Sequence, residues 1–123
     1  RILPCYNLSE VLGAVSEITK EVEKQFSVKI EILHHQYVEP APPTPSDAPV
    51  VIALEHAIEK VYGLKAFAGG VGAGTVAAYL RKRGYPVAVW SKTEMNAHQP
   101  DENCLIDNML GNAKVFACLF LHG

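Results

Sequence analysis

Residues 96–103 contain three side chains, close together in the chain, that can bind a metal ion or transfer a proton. The segment reads Asn-Ala-His-Gln-Pro-Asp-Glu-Asn, with the imidazole of His98 followed by the carboxylates of Asp101 and Glu102. Imidazole and carboxylate groups are common zinc ligands, and histidine also acts as an acid or base near neutral pH. Because the segment is polar and lies between two apolar stretches, we predict an exposed loop that carries chemistry. We call residues 96–103 the histidine loop.

A second candidate site is the glycine-rich segment at residues 69–75. Its glycines do not match the dinucleotide pattern G-x-G-x-x-G, because Thr75 stands where the last glycine would be. The phosphate-loop pattern also fails, since no lysine follows Gly74. We therefore do not predict nucleotide binding. Free backbone N–H groups at a helix start favour an anion such as a substrate carboxylate, and a tight turn without a ligand is the alternative.

The spacing of apolar residues predicts four helices that would position these segments. The first follows Asn7, which with Glu10 resembles a capping box, and it has one apolar and one charged face. The second follows a cap at Ser46 or Asp47, and a third and a fourth follow the glycine-rich segment and the histidine loop. The remaining predicted boundaries are Pro49 in the first turn of the second helix, Gly63 at its end, Gly84 after the third helix and Ile106 at the start of the fourth.

Three short segments are predicted to be strands. Apolar and charged residues alternate in residues 28–32, and the apolar residues 65–68 and 86–91 flank the glycine-rich segment and its helix. A strand, glycine loop, helix and strand in this order form a parallel α/β unit. We therefore predict an α/β fold, namely part of a mixed α/β sheet preceded by a helix and strand of a small α+β domain.

A proline-rich segment divides the chain. Residues 39–49 hold five of its eight prolines, a density that is typical of a stiff extended connector. We predict one unit at residues 1–39, a hinge at residues 40–45 and a second unit at residues 46–123. A polyproline ligand for a binding partner is the alternative, although no arginine flanks the segment.

Composition limits the class of protein. The 123 residues have a formal net charge of -2 and no basic stripe, so we expect neither a nucleic acid nor an anionic membrane as a partner. No apolar run is long enough to span a bilayer, and we expect a soluble, cytoplasmic protein. The three cysteines lack metal-binding spacing and are predicted to be small packed side chains, and His34, His35 and His56 are predicted to be surface histidines.

Taken in order, the motifs resemble one enzyme family. The motif A-H-Q-P-D-E within residues 97–108, the run G-x-G-A-G-T within residues 70–91 and the stretch at residues 113–117 resemble the C-terminal part of zinc-dependent amidohydrolases. These include succinyl-diaminopimelate desuccinylase, acetylornithine deacetylase and related carboxypeptidases. Residues 1–4 and 41–51 resemble the end of the family's lid domain and the return to its catalytic domain.

The resemblance implies a two-zinc centre, with cobalt or manganese as alternative metals, whose last ligand matches His98. It implies that Glu102 lies behind that ligand or orders the loop. Arg1 matches an arginine that holds a substrate carboxylate, and Gly74 and Thr75 match a turn that contacts the substrate. The implied reaction is attack of metal-bound hydroxide on the amide of an N-acyl amino acid or short peptide, with a glutamate outside this chain as base. The implied assembly is a homodimer.

The chain also departs from the family pattern. Val76, Ala77 and Ala78 stand where many relatives have Asp followed by Arg or Asn, so the substrate stays open. The H-x-D and E-E motifs that hold the family's other metal ligands and catalytic glutamate are absent from the sequence. We therefore predict a C-terminal fragment that is inactive alone and binds zinc weakly. Two alternatives are a non-catalytic dimerisation or lid module, and a small α/β domain that binds an anionic metabolite at the glycine-rich segment.

Overall fold

The structure, a computed structural model, describes residues 2–3, 5–70 and 74–122. Four helices occur in the order α1 (Leu8–Phe26), α2 (Pro49–Tyr62), α3 (Ala77–Lys82) and α4 (Ile106–His122). Extended segments and turns connect them, and the described residues contain no strand. The four predicted helices are therefore confirmed, whereas the predicted α/β fold class is wrong.

Helix α1 begins and ends at local capping groups. The side chain of Asn7 accepts a hydrogen bond of 2.9 Å from the Ser9 backbone N–H, which satisfies one free donor of the first turn. Ser27 ends the helix in a left-handed conformation with φ of 51°. None of the residues of α1 is buried, so its apolar stripe stays partly open to solvent.

Helices α2 and α3 end at glycines, as predicted. Pro49 is the first residue of α2. Gly63 follows the last residue of the helix with φ of 66°, and its N–H donates to the Glu59 carbonyl at 2.7 Å. Gly84, with φ of 84°, follows α3. The predicted cap at Ser46 or Asp47 is wrong, because the N-cap is Ala48 and makes no side-chain hydrogen bond. Proline at the first position removes one of the donors that a cap would satisfy.

Helices α2 and α4 pack against each other, and within the described part of the chain they are the only helix pair that does. Leu54, Ala57 and Ile58 of α2 meet Val115 of α4, which is fully buried. Burial of a side chain as large as leucine or valine contributes about 1.5–3 kcal/mol. The partly buried residues that cover this cluster are Val61, Tyr62, Ala66, Ala88, Trp90, Cys118 and Leu119.

Residues 86–92 run along this helix pair without becoming a strand. Ala88 and Trp90 pack on the core, whereas Val89 between them is 63% exposed, so only one face of this apolar segment is covered. The groups that hydrogen-bond to the main chain of this segment, however, belong to side chains. Thr44 donates its hydroxyl to the Val87 carbonyl (2.7 Å) and accepts the Val87 N–H (3.0 Å). Because a side chain occupies main-chain groups that a neighbouring strand would use, this segment forms no ladder with another described segment.

The other predicted strands are wrong for a related reason. In residues 28–32, the Ile30 N–H donates to the Glu23 carboxylate at 2.7 Å, and the alternate residues Val28 and Ile32 are 50% and 41% exposed. In residues 65–68, Ala66 packs on the core but Phe67 is 88% exposed. Extended residues need a hydrogen-bonded neighbouring strand to form a sheet, and the described residues supply none.

The proline-rich segment is hydrogen-bonded to α3 and to the extended segment at residues 86–92. Ala41 is buried, and the Pro42 carbonyl accepts a hydrogen bond of 3.0 Å from Arg81 Nε. The domain boundaries at residues 39 and 46 stay predictions. In the part of the chain that the structure describes, no helix is long and apolar enough to cross a membrane.

Gly111 allows close contact between α4 and the side chain of Tyr62. A Cβ built on Gly111 would lie 2.9 Å from Tyr62 Cζ and even closer to its hydroxyl oxygen. Overpacking costs about 1–3 kcal/mol, and alanine gains about 1 kcal/mol of helix propensity. We expect Gly111→Ala to lower the free energy of unfolding by about 1 kcal/mol net, measured by urea denaturation.

Gly13 of α1 provides the matched control, since a Cβ there would meet nothing within 4 Å. Gly13→Ala should therefore not lower the free energy of unfolding. Adding Tyr62→Phe to Gly111→Ala should recover part of the loss, because the hydroxyl is buried and has no hydrogen-bond partner among the described residues. A Gly111→Ala variant as stable as the parent chain would contradict the packing described for Tyr62.

Candidate metal-ligand loop

The histidine loop connects the extended segment beside the core to α4. As predicted, it is exposed, and the His98 side chain lies on the surface. The loop contains turns and no regular element. An exposed imidazole on a loop at the edge of a packed unit can reach a ligand or another part of a protein.

Hydrogen bonds within the loop fix its shape. The backbone N–H of His98 donates to Glu102 Oε2 at 3.1 Å. Gln99 Nε2 donates to the Met95 carbonyl at 3.2 Å, and Asn96 Nδ2 donates to the Asn103 carbonyl at 3.4 Å. The structure thus brings two of the predicted site residues, His98 and Glu102, together. The Glu102 carboxylate accepts this bond from the main chain of His98, so the bond does not involve the imidazole.

His98 and Asp101 both have left-handed backbone conformations, with φ of 62° and 61°. Such a conformation costs about 1–2 kcal/mol for a residue with a Cβ, although Asp and His adopt it more readily than most. Strained backbone of this kind is concentrated at functional sites, where surrounding contacts impose it. Sequence reasoning missed both conformations, because no local pattern marks them.

Two asparagines of α4 hold the segment that leads into the loop. Asn112 accepts the Lys92 N–H at 2.9 Å and donates to the Lys92 carbonyl at 3.2 Å. Asn108, only 2% exposed, donates to Glu94 Oε1 at 2.8 Å. Sequence reasoning missed these residues too. The available signal was two amide side chains four residues apart, and therefore on one face of an otherwise apolar helix.

Aromatic side chains complete the support beneath this segment. The Lys92 ammonium lies 5.2 Å from the centre of the Tyr62 ring, a cation–π distance. The Tyr62 and Trp90 rings have centroids 5.9 Å apart, and those of Trp90 and Phe116 are 6.4 Å apart. These spacings are typical of tilted and edge-on aromatic pairs. The approach to the histidine loop thus rests on both α2 and α4.

The predicted substrate residues lie elsewhere. Gly74 is exposed and Thr75 is half-buried, and the Thr75 carbonyl accepts the Ala78 N–H at 3.1 Å as α3 starts. No hydrogen bond between described residues joins them to the histidine loop. Residues 71–73 and Arg1 lie outside the described residues, so the anion-site and carboxylate-binding predictions that involve them stay predictions.

One contact relates the start of the chain to the glycine-rich segment. Leu3 lies against Gly70, where an added Cβ would meet its Cδ2 at 3.1 Å. Only a residue without a side chain allows this approach at its present distance. Segments that precede α1 and α3 are therefore neighbours.

The donor set for a metal ion is incomplete in the described residues. No group of three His, Cys, Asp or Glu side chains among them is placed to hold an ion. Within the histidine loop, Glu102 Oε2 is bonded to the main chain of His98, and the His98 imidazole and the Asp101 carboxylate are exposed. A zinc site needs three or four protein donors, so these residues do not fit a complete metal centre.

The chain is similar to two curated proteins that are both named as uncharacterized metallohydrolases. It is 39% identical over 124 residues to an uncharacterized metallohydrolase of Methanocaldococcus jannaschii, an alignment that covers 94% of this chain and 30% of that protein. It is 36% identical over 131 residues to an uncharacterized metallohydrolase of Methanococcus maripaludis, covering 94% of this chain and 31% of that protein. The chain thus spans about a third of the length of these relatives. No solved structure matches it.

The model of peptidase family M20/M25/M40 matches residues 6–122, which include α1, the proline-rich segment and the histidine loop. The match covers nearly the whole chain, and it agrees with the resemblance seen in the ordered motifs. The chain belongs to peptidase family M20/M25/M40.

Proposed function

We propose that the chain is the C-terminal part of a zinc-dependent hydrolase that cleaves the amide bond of N-acyl amino acids or short peptides, as desuccinylases, deacetylases and carboxypeptidases do. Family membership and two relatives named metallohydrolases support this proposal. The chain spans about a third of those relatives, so the remaining ligands and the catalytic glutamate are assigned to a part of the protein outside residues 1–123.

The observation that carries the proposal is the state of His98. Its imidazole is exposed, its backbone is left-handed, and its N–H is bonded to Glu102. These features suit a ligand that must project from its own chain to an ion held mainly by other residues. In this proposal His98 supplies one imidazole, and Glu102 orders the loop. Neutral imidazole suits zinc, with cobalt and manganese as alternatives.

The proposed substrate contacts are Arg1, Gly74 and Thr75. The contact between Leu3 and Gly70 supports this grouping, because it places the segment before α1 beside the glycine-rich segment. An arginine fork would bind a substrate carboxylate, and the exposed Gly74 would allow close approach of a ligand to the main chain. We therefore expect the substrate to carry an anionic group, such as a carboxylate, at this end.

The proposal predicts weak metal binding by the 123-residue chain alone, because one imidazole does not hold an ion tightly. Calorimetric titration with zinc should show no stoichiometric binding at micromolar protein concentration. His98→Ala should leave the titration unchanged within error at that concentration. Tight one-to-one binding that is lost in His98→Ala would contradict the division of the site between this chain and another part of the protein.

In the longer protein, the same residues should be essential. His98→Ala should abolish zinc-dependent hydrolysis of N-acyl amino acids. Glu102→Ala should reduce metal affinity or activity by about 10–100-fold, the usual effect of removing a group that orients a ligand. His56→Ala is the matched control, since His56 is an exposed histidine on α2, and it should retain full activity. Full activity of the His98→Ala protein would overturn the proposed role of His98.

A second candidate function for residues 1–39 is homodimerisation, as part of a lid module. The favouring observation is that α1 has a charged face and an apolar stripe, but no buried residue and no packing against another described helix. Val15 and Ile18 of this stripe are 42% and 60% exposed. A second copy of α1 would bury such a stripe, as amphipathic helices do when they pair.

This candidate predicts that charge on the stripe prevents self-association. Val15→Lys with Ile18→Lys should convert a dimer to a monomer in analytical ultracentrifugation, because burial of two ammonium groups is unfavourable. Ala14→Lys is the control, since Ala14 is exposed beside the acidic Glu10 and Glu17, and it should leave the dimer intact. A parent chain that is monomeric at high micromolar concentration would contradict dimerisation through α1.

A further inference from the structure

We propose that Asn108 and Asn112 of α4 are positioning residues for His98. They fix the chain before the histidine loop to α4, and Asn108 also joins the two ends of the loop. The meaning of this role for metal binding rests on the proposed function of His98, but the positioning itself is a property of the folded chain.

Asn112 acts on the main chain of Lys92. Its amide oxygen accepts the Lys92 N–H at 2.9 Å and its amide nitrogen donates to the Lys92 carbonyl at 3.2 Å. One side chain thereby satisfies both main-chain groups of one residue, as a neighbouring strand would. Rotation of the peptide units around Lys92 would break at least one of these bonds. The orientation of the chain at Lys92 is therefore set by α4.

Asn108 bonds to Glu94, which lies two residues closer to the histidine loop than Lys92. It is 2% exposed and donates from Nδ2 to Glu94 Oε1 at 2.8 Å. Its own backbone N–H donates to the Leu105 carbonyl at 3.0 Å, in the first turn of α4. Asn108 is thus bonded to Glu94, two residues before the histidine loop, and to Leu105, two residues after it. This arrangement closes the loop at its base.

Further contacts lie next to the Asn112 bonds. Asn112 is adjacent in sequence to Gly111, which lies against Tyr62, and the Lys92 ammonium lies over the Tyr62 ring. Lys92 is thus contacted at its main chain by α4 and at its side chain by α2. Since α2 and α4 are joined by the core around Val115, Lys92 has a fixed position relative to that core.

The position is transmitted to His98 by the bonds inside the loop. Gln99 donates to the Met95 carbonyl, next to Glu94, and Asn96 donates to the Asn103 carbonyl across the loop. The His98 N–H is held by Glu102. A displaced residue 94 would therefore displace the loop as a unit. An imidazole that completes an ion site must be held within a fraction of an ångström, which is the requirement these contacts meet.

The test uses nitrogen-15 NMR spectra and amide hydrogen exchange of the whole 123-residue chain, without metal. Asn112→Ala should increase the exchange rate of the Lys92 N–H by about tenfold, because it loses its acceptor. Asn112→Asp keeps an acceptor and should preserve most of the protection. Both variants should also shift the amide signals of His98 and Glu102. Lys114→Ala, an exposed change on the same helix, should do neither.

A paired exchange of side chains tests Asn108. Asn108→Asp places a second carboxylate against Glu94, so the amide signals of residues 95–103 should shift and broaden. Adding Glu94→Gln restores a donor and acceptor pair in the reverse direction, and the parent signals should return. Thermal melting of each variant separates this local effect from general loss of stability. If Asn108→Asp does not fold, the two Asn112 variants decide the question.

The positioning role is overturned if loop signals in Asn112→Ala match those of Lys114→Ala, or if the folded double variant fails to restore the signals changed by Asn108→Asp. Both outcomes are independent of the proposed function. If the loop responds as expected but His98→Ala leaves the longer enzyme fully active, positioning stands and the metal-ligand role fails. In the longer protein, Asn108→Asp should weaken zinc affinity by about 10–100-fold and Glu94→Gln should recover it.

Discussion

Side chains that bond to the main chain of residues 86–94 are the interaction on which the rest of this structure depends. Thr44 holds Val87, and Asn112 holds Lys92, each with one donated and one accepted hydrogen bond. The half-buried main-chain groups of Val87 need such partners, and Thr44 of the proline-rich segment provides them, while Asn112 of α4 bonds the exposed main chain of Lys92. Between these two points, Ala88 and Trp90 are pressed onto the core of α2 and α4. The extended segment consequently has one defined path along the helices.

That path determines where the histidine loop lies. The loop is exposed and strained at His98 and Asp101, and exposed strained backbone is usually mobile unless contacts over-determine it. Here the base of the loop is bonded to the first turn of α4 and its interior is cross-linked by its own amide and carboxylate side chains. A packed helix pair therefore presents one imidazole in a defined place. Membership of peptidase family M20/M25/M40 gives that arrangement its chemical interpretation.

The sequence predicted the helices well because their signals are local. Asn7 as a cap, Pro49 in a first turn and Gly63 after a last turn act on neighbouring residues, so their effect needs no knowledge of the fold. Strands were predicted wrongly because an apolar or alternating pattern suggests which side chains face a core, but it does not show what bonds to the main chain. In residues 86–91 the apolar side chains of Ala88 and Trp90 do pack on the core, but the group that bonds to the main chain is a threonine hydroxyl. Asn108, Asn112 and the backbone of His98 were missed because their roles arise only when α4 meets a distant segment.

We propose that His98 is one ligand of a metal centre whose other ligands belong to a longer protein. A zinc-bound structure of that protein, or zinc X-ray absorption compared between parent and His98→Ala, tests it most directly. We expect an imidazole nitrogen of His98 at about 2.0–2.1 Å from a zinc ion, the usual zinc–histidine distance. A fully loaded metal centre with His98 turned to solvent would contradict it.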